Sequence, residues 1–433
     1  WGGLNIIGAS PAERGEMAKA QRLVISEVER EIDRLNIEHD EERNRAKAYL
    51  YCLEVRCPQT GWMVPLSGSW VISRNKRCVA KLIPDPLKKR FDIEVVTGAS
   101  ASEMEEATLG TARDGDLVYW LDGKEHRTSI KALRGDRRID GTSVNNLRKW
   151  TKSDFVPRAD DLYQERLYCV QWVRTVSEEV FFTGVRPADL ARERKVEAEV
   201  REHLDRWQAL GLLPDMDLTP GEKTDEPMRT RGWTHWHHLF TPRNLLINAL
   251  FKQAIRNNSS SARIASILAF DVNSLADRSA RLSRWRVGHS GGPGVAPAGD
   301  YPEQVFYNQA LNTLVNYACR SFFHLQDLLS NADLKSFPLP SGVSQAVESH
   351  AVSALDTTND IYVTDPPYAD AVRYDEISEF FISWQRKSPP KPFSDWTWDS
   401  RRDLAVKGSG DDFRREMVRA YSAMTHHLSL IHI

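Results

Sequence analysis

Residues 360–384 read DIYVTDPPYADAVRYDEISEFFISW, and this stretch decides how the rest of the sequence is interpreted. Residues 361–364 are β-branched or aromatic and lie between a polar segment and a double proline, which predicts a short buried strand. Proline fixes its own φ and restricts the residue before it, so the strand must end at Asp365 in a stiff elbow. Tyr368 then lies just beyond the carboxyl end of the strand, where ligands bind in open α/β sheets.

An elbow of this kind suits chemistry at an exocyclic aromatic amine. The lone pair of such an amine is delocalised into its ring, so the nitrogen becomes nucleophilic only when acceptors hold both hydrogens. The Asp365 carboxylate and the Pro366 carbonyl can supply two acceptors, with Pro367 fixing the elbow. Tyr368 offers a ring face on which a base pulled out of its stack can lie. The plainer interpretation is a buried strand ending in a Pro-Pro turn, with Tyr368 merely packed.

The four residues Asp365 to Tyr368 resemble the DPPY motif of the S-adenosylmethionine-dependent amino-methyltransferases, which act on adenine N6 or cytosine N4. A longer pattern, DPPYxDxxxYxxxS(D/E)FFxxW, is matched by Asp370, Tyr374, Ser378, Glu379, Phe380, Phe381 and Trp384. It resembles the adenine-specific DNA methylases that carry a zinc-ribbon-like insertion, some of them associated with anti-phage defence. The resemblance implies S-adenosyl-L-methionine as cofactor, DNA as partner and, in a defence or restriction-modification system, other defence proteins as further partners.

The same resemblance implies an α/β fold, with a partial Rossmann-like methyltransferase core, a β-rich ribbon-like insertion and helical additions. The expected division is a helical segment of the methyltransferase region over 1–50, the insertion over 51–170, a helical connector and loop over 171–232, a core segment over 233–427 and a non-native tail over 428–433. That tail, LSLIHI, is what a common sequencing-library adaptor would encode. The glycine-rich cofactor loop is not found, and the resemblance places it before Trp1, so we expect a fragment that can be inactive by itself.

A second match lies in Phe240, Thr241, Pro242 and Arg243. Thr241 is a good N-cap and Pro242 a good first helical residue, which predicts a helix with an exposed positive end. This helix start is similar to the motif beside the methionine end of the cofactor in many amino-methyltransferases. The resemblance makes Phe240, Thr241 and Pro242 candidate cofactor-binding residues, since a carboxylate at a helix N-terminus is physically sensible. A simple capped helix is the alternative.

Three histidines just before that helix, His235, His237 and His238, invite a metal. His237 and His238 are adjacent and cannot face one way on a helix, and no carboxylate lies at ligand spacing. The pattern therefore favours aromatic and imidazole packing.

Cys57 stands where the zinc ribbon of the resembled family begins. Tetrahedral zinc needs four nitrogen or sulfur donors, but Thr60 occupies the partner position and Cys78 has no nearby mate. Cys52 or His126 could complete a set, although nothing fixes that geometry. We expect a metal-free remnant of the ribbon rather than bound zinc, and assign no metal site.

Residues 262–286 predict a helix whose outer face carries Arg278, Arg281 and Arg284, which could grip a DNA backbone. A solvated face beside Asp271 and Asp277 is the other interpretation. Helical spacing also predicts helices over 12–36, 188–210, 303–329 and 413–424, and a helix after the DPPY motif that packs against the sheet.

The composition is that of a globular protein, with a formal net charge of −2, so a nucleic-acid partner requires a local basic surface. Five cysteines, no signal peptide and no long apolar run indicate a cytoplasmic protein without a membrane span. The leading hypothesis is a site-specific, S-adenosylmethionine-dependent DNA adenine N6-methyltransferase. The alternatives are a non-catalytic DNA-binding or scaffolding subunit with a methyltransferase fold, or a methyltransferase acting on RNA or on cytosine N4.

Overall fold

The structure is a computed structural model that describes residues 6–289, 291, 296–329, 355–366, 372–406 and 408–429. It is a mixed α/β fold. The strands are β1 Arg45–Arg56, β2 Met63–Leu66, β3 Val71–Ser73, β4 Cys78–Asp85, β5 Arg90–Thr97, β6 Ala112–Arg113, β7 Asp116–Leu121, β8 Lys124–Ser129, β9 Arg137–Ile139, β10 Thr142–Val144, β11 Tyr163–Val173, β12 Val180–Gly184, β13 Trp285–Arg286, β14 Tyr301–Pro302 and β15 Tyr317–Arg320. The helices are α1 Pro11–Leu35, α2 Ala101–Thr108, α3 Ile130–Arg134, α4 Pro187–Ala209, α5 Asp225–Arg231, α6 Pro242–Asn258, α7 Ala262–Arg278, α8 Phe322–Leu325, α9 Tyr374–Gln385 and α10 Gly410–His426.

The main sheet has eight strands within the described residues, in the order β12-β11-β1-β2-β5-β4-β3, with β15 also paired to β1. Strand β1 is at its centre and runs antiparallel to β11 from Arg45–Val173 to Val55–Tyr163. Strands β15 and β2 share its other side, β15 pairing with residues 48–51 and β2 with residues 53–56. The β2–β5 pair is parallel, so the sheet is mixed. The predicted β-rich region therefore shares one continuous sheet with strands that follow it in the chain.

A layer of helices packs into a separate apolar core. Helices α1, α4, α6, α7 and α9 all contribute side chains to it, among them Val24, Val28, Val200, Leu204, Leu245, Leu246, Leu268, Val272, Phe380 and Trp384. Helix α1 begins with a capping box in which the backbone amides of Ser10 and Glu13 each donate to the other residue's side chain. Among the described residues, no helix is both long enough and apolar enough to cross a membrane.

The helices predicted over 12–36, 188–210 and 413–424 are confirmed as α1, α4 and α10. The helix predicted over 262–286 is too long: α7 ends at Arg278, because Ser279 adopts an extended conformation and its hydroxyl accepts buried hydrogen bonds from Asn244 and from the Arg320 amide.

The helix predicted over 303–329 is wrong. Its centre forms strand β15, whose four residues are all buried where the strand pairs with β1. Tyr317 of β15 stacks on Tyr51, with ring centroids 5.2 Å apart. Partner strands are available here, and they outweigh the helical spacing of the apolar residues.

Candidate functional site

Within the described residues, the segment that leads to the DPPY motif forms a parallel bridge between Asn359 and Leu428, and the Tyr362 hydroxyl donates to the His427 carbonyl at 3.3 Å. The Asn359 amide donates to the His427 carbonyl at 2.8 Å, and the Ser429 amide donates to the Asn359 carbonyl at 2.8 Å. The chain between the two bridged residues contains α9 and α10. Two parallel segments joined through helices are the arrangement of a crossover connection. Leu428 and Ser429 belong to the segment 428–433, interpreted above as a non-native tail, so the bridge is not evidence for a native sheet.

The buried strand predicted at residues 361–364 is wrong. No strand is formed over residues 361–366, and Ile361 and Val363 are 75% and 94% exposed. β-Branched residues form a strand where neighbouring strands satisfy their backbone. Among the described residues, the one such contact lies earlier, at Asn359.

Asp365 and Pro366 are exposed at the surface. The Asp365 carboxylate is thus accessible to a ligand, next to a proline that stiffens the backbone. Pro367, Tyr368 and Asp370, the other predicted residues of the motif, lie outside the described residues.

Phe240 joins the two sequence motifs. Its ring stacks on Phe380 with centroids 5.2 Å apart and an interplanar angle of 28°, and it meets the edge of Trp384 at 4.9 Å. Trp236 packs on Phe380 at 6.2 Å, and all four side chains are buried. The spacing predicts one apolar face on α9, formed by Tyr374, Ile377, Phe380, Phe381 and Trp384. This face is confirmed for Ile377, Phe380 and Trp384, whereas Phe381 is half-buried and Tyr374 is 42% exposed.

The prediction that α9 packs against the sheet is wrong. Helix α9 packs against other helices. Lys252 of α6 donates to the Trp384 carbonyl, and Gln385 donates to the Ala269 carbonyl of α7 at 3.2 Å. The aromatic face of α9 contacts Trp236 and Phe240, which lie just before α6, and this contact places α9 in the helical layer.

Thr241 caps α6 as predicted, but this end of the helix is buried rather than exposed. The Thr241 hydroxyl accepts from the Asn244 amide at 3.2 Å, and the Asn244 side-chain oxygen accepts from the Thr241 amide at 3.1 Å. Cys319 Sγ lies 3.0 Å from the Thr241 hydroxyl. Phe240 and Thr241 are fully buried, and Pro242 is half-buried. Because the cap is satisfied internally and covered, these three residues do not fit the predicted role of holding a cofactor carboxylate.

The three arginines predicted to contact DNA lie in different environments. Arg281 is not on an outer face: it is fully buried and binds Glu165 of β11 through Nε at 2.8 Å and Nη2 at 2.8 Å. Arg278 is half-buried at the end of α7, and its carbonyl accepts from Arg320 at 3.0 Å. Arg284 is exposed and pairs with Glu303 at 2.7 Å. They do not form a common surface, because the helix that would align them ends at Arg278.

The histidine cluster is a packed structural element, as the sequence pattern favours. His238 Nε2 lies 3.0 Å from the Thr151 carbonyl, and its Nδ1 accepts from the Thr234 amide at 3.1 Å, which assigns the proton to Nε2. His237 Nε2 lies 3.2 Å from the Asp154 carbonyl. Burial lowers the pKa of His237 to about 3 and the pKa of His238 well below its usual range. Both imidazoles are neutral and tie the segment before α6 to residues 151–154.

The residues considered for zinc make other contacts. The Thr60 hydroxyl lies 2.6 Å from the Tyr119 hydroxyl, and Tyr119 stacks on His126 at 5.3 Å. Cys57 is buried with its Sγ 3.9 Å from the Thr128 hydroxyl. Within the described part of the chain, no three or more histidine, cysteine or acidic side chains lie together as a metal site would require.

Sequence reasoning missed two buried charged groups that fix α9. Glu376 accepts from the backbone amides of Glu222, Lys223 and Thr224 at 2.8–2.9 Å. Lys252 is the second, and burial lowers its pKa to about 7. An acidic residue in the first turn of a helix predicts a favourable interaction with the helix dipole. The backbone amides that bind Glu376 are about 150 residues away in the sequence, and no local signal identifies them.

Comparison of the chain with protein families, with curated proteins and with solved structures finds no match in any of the three.

Proposed function

We propose that this protein methylates an exocyclic amine, adenine N6 in DNA, with S-adenosyl-L-methionine as the methyl donor and within a defence or modification system. The observation that carries the proposal is the contact of Phe240 with Phe380 and Trp384. Two segments that resemble methyltransferase motifs, about 140 residues apart in the sequence, pack on each other through buried aromatic rings.

The exposure of Asp365 supports the proposal further. Asp365 follows the bridge by six residues and is exposed, as a residue that receives a base must be.

In the proposed reaction, this chain holds the amine. The Asp365 carboxylate and the Pro366 carbonyl accept the two amine hydrogens, so that the nitrogen lone pair is directed away from the ring. Pro367 fixes the elbow and Tyr368 stacks on the flipped base. Because Phe240, Thr241 and Pro242 do not fit the cofactor, we assign no step to them.

One observation favours a second function, a non-catalytic DNA-binding or scaffolding subunit. The N-terminus of α6, which the resemblance links to the cofactor, is capped by Thr241 and covered. A scaffold would retain such a closed helix start, and it need not bind S-adenosyl-L-methionine.

A methyl-transfer assay with the protein from the complete gene distinguishes the two functions. Labelled S-adenosyl-L-methionine and adenine-containing duplex DNA are supplied to the wild type, Asp365→Ala and the matched control Asp360→Ala, since both aspartates are exposed. We expect labelled DNA from the wild type and the control, and a loss of about 100-fold or more in Asp365→Ala. Equal rates for all three proteins would refute the role of Asp365. A wild type that neither binds the cofactor nor labels DNA would favour the scaffold.

A further inference from the structure

The β9–β10 hairpin stands apart from the main sheet. Strands β9 and β10 form a two-stranded sheet of their own, joined at Asp140 and Gly141, which both have positive φ (49° and 80°). Every residue of β9 is exposed, and Ile139 is 51% exposed although it is apolar. The hairpin therefore presents both its strands to solvent, with a tight turn at its tip.

Positive charge is concentrated around this hairpin. Residues 124–149 contain eight Lys and Arg and three Asp and Glu, a net charge of +5, whereas the whole chain has a net charge of −2. A cleft of about 290 Å³ at its base is lined by Lys131, Asp136, Arg137, Arg138, Asn145 and Arg229, among others. Asp136 is the acidic residue among the described residues that line the cleft. Its carboxylate is bound by Arg134 at 2.6 Å and so offers little negative charge to the cleft.

Three of the four cations that line this cleft have no acidic partner among the described residues. Among the described residues, Lys131, Arg137 and Arg138 form no ion pair, whereas Arg148, for example, pairs with Asp154 and Asp161 at 2.6 Å. Arg137 instead donates to the Asn146 side-chain oxygen at 2.6 Å, which orients the guanidinium without neutralising it. Charges left unpaired on an exposed ribbon are suited to an anionic partner.

The base of the hairpin is fixed to the rest of the fold. The Asn145 side chain donates to the Arg229 carbonyl of α5 at 2.7 Å, and the Asn146 amide donates to the Arg134 carbonyl at 2.9 Å. A ribbon held in this way can bind a rigid partner without first being ordered.

We infer that the β9–β10 hairpin is a duplex-DNA contact, in which Lys131, Arg137 and Arg138 bind phosphates and the ribbon lies in the major groove. The major groove of B-form DNA admits a two-stranded ribbon, whereas the corresponding groove of A-form RNA is too narrow. This inference deepens the proposed function by naming a surface that holds the substrate. It does not depend on cofactor binding or turnover.

Binding of the full chain to a fluorescent DNA duplex is measured by anisotropy over a range of salt concentrations, without cofactor. The variant is Arg137→Gln with Arg138→Gln, and the matched control is Lys19→Gln with Arg22→Gln, two exposed cations of α1. The slope of log K against log salt is negative, and each lost phosphate contact makes it shallower by about 0.9. We expect the slope of the hairpin variant to be shallower by about 2 and the slope of the control to equal that of the wild type. Equal slopes in all three proteins, equal losses in both variants, tighter binding of an RNA duplex, or no duplex binding by the wild type would overturn the inference. Reduced binding by the hairpin variant in a protein that never methylates DNA would uphold the inference and reject the proposed catalysis.

Discussion

Replacing Arg281 by alanine is expected to destabilise the protein far more than replacing Arg284, although the two residues are three positions apart and look alike in the sequence. Arg281 binds both oxygens of Glu165, and it also donates to three backbone carbonyls, those of Phe155, His238 and Phe240. Arg284 has one acidic partner, Glu303, at hydrogen-bond distance, and its side chain is 62% exposed. The buried guanidinium therefore links β11, the segment before α6 and the loop that contains Phe155.

The expected magnitudes follow from burial. Arg281→Ala leaves Glu165 still paired with Arg231 at 2.6 Å, but it breaks one buried ion pair and removes the donor from three buried carbonyls. Breaking a buried pair in this way costs about 3–5 kcal/mol. An exposed ion pair contributes about 0–1 kcal/mol. Arg281→Lys should recover only part of the loss, because one ammonium group cannot replace a planar fork that binds a carboxylate and three carbonyls together.

The free energies of unfolding are measured by urea denaturation followed by tryptophan fluorescence. We expect Arg281→Ala to lower the free energy of unfolding by about 3–5 kcal/mol and Arg284→Ala by less than about 1 kcal/mol. The dependence on urea should have a similar slope in all variants, so that the shift in midpoint reports stability. Losses that agree within about 0.5 kcal/mol would show that Arg281 is not the buried centre described above.

Three further predictions concern other buried groups. Phe380→Ala removes the ring that Phe240 and Trp236 contact and should cost about 3–5 kcal/mol in urea denaturation, whereas Tyr374→Ala, 42% exposed on the same helix, should cost about 0.5 kcal/mol or less. Burial lowers the pKa of Lys252 to about 7 from an ordinary 10.5, so the unfolded chain binds more protons than the folded chain between these two pH values. The free energy of unfolding, measured relative to Lys252→Met, should therefore rise with pH in this range by about 1.4 kcal/mol per pH unit. A constant difference between the two proteins would contradict this. The pKa of His237 is lowered to about 3 from 6.5, so the unfolded chain binds more protons than the folded chain between pH 6.5 and about pH 3. The free energy of unfolding should fall with pH in this range by about 1.4 kcal/mol per pH unit, relative to the non-titrating variant His237→Gln. Parallel pH profiles for the two proteins would contradict this.

The features predicted correctly depend on local sequence. Thr241 and Pro242 carry the signals of a helix start within two residues, and α9 shows its buried face in the spacing of Ile377, Phe380 and Trp384. Both signals act through backbone geometry that neighbouring residues determine.

The features predicted wrongly depend on distant partners. Arg281 is buried because it meets Glu165, which is 116 residues earlier in the chain, and no spacing around Arg281 indicates that contact. Residues 317–320 form a strand because β1 is available to pair with them. Residues 361–364 have strand composition, but Ile361, Val363 and Thr364 are exposed because the described residues supply no strand to pair with them.

We propose that the Asp365 carboxylate, exposed beside Pro366, holds an adenine amine for methylation. Mass spectrometry of DNA nucleosides tests it, after the complete gene or its Asp365→Ala variant is expressed in a methylation-deficient host. We predict N6-methyladenine in the DNA of cells with the wild-type gene and none with the variant. Equal N6-methyladenine from both genes, or none from the wild type, would contradict the claim.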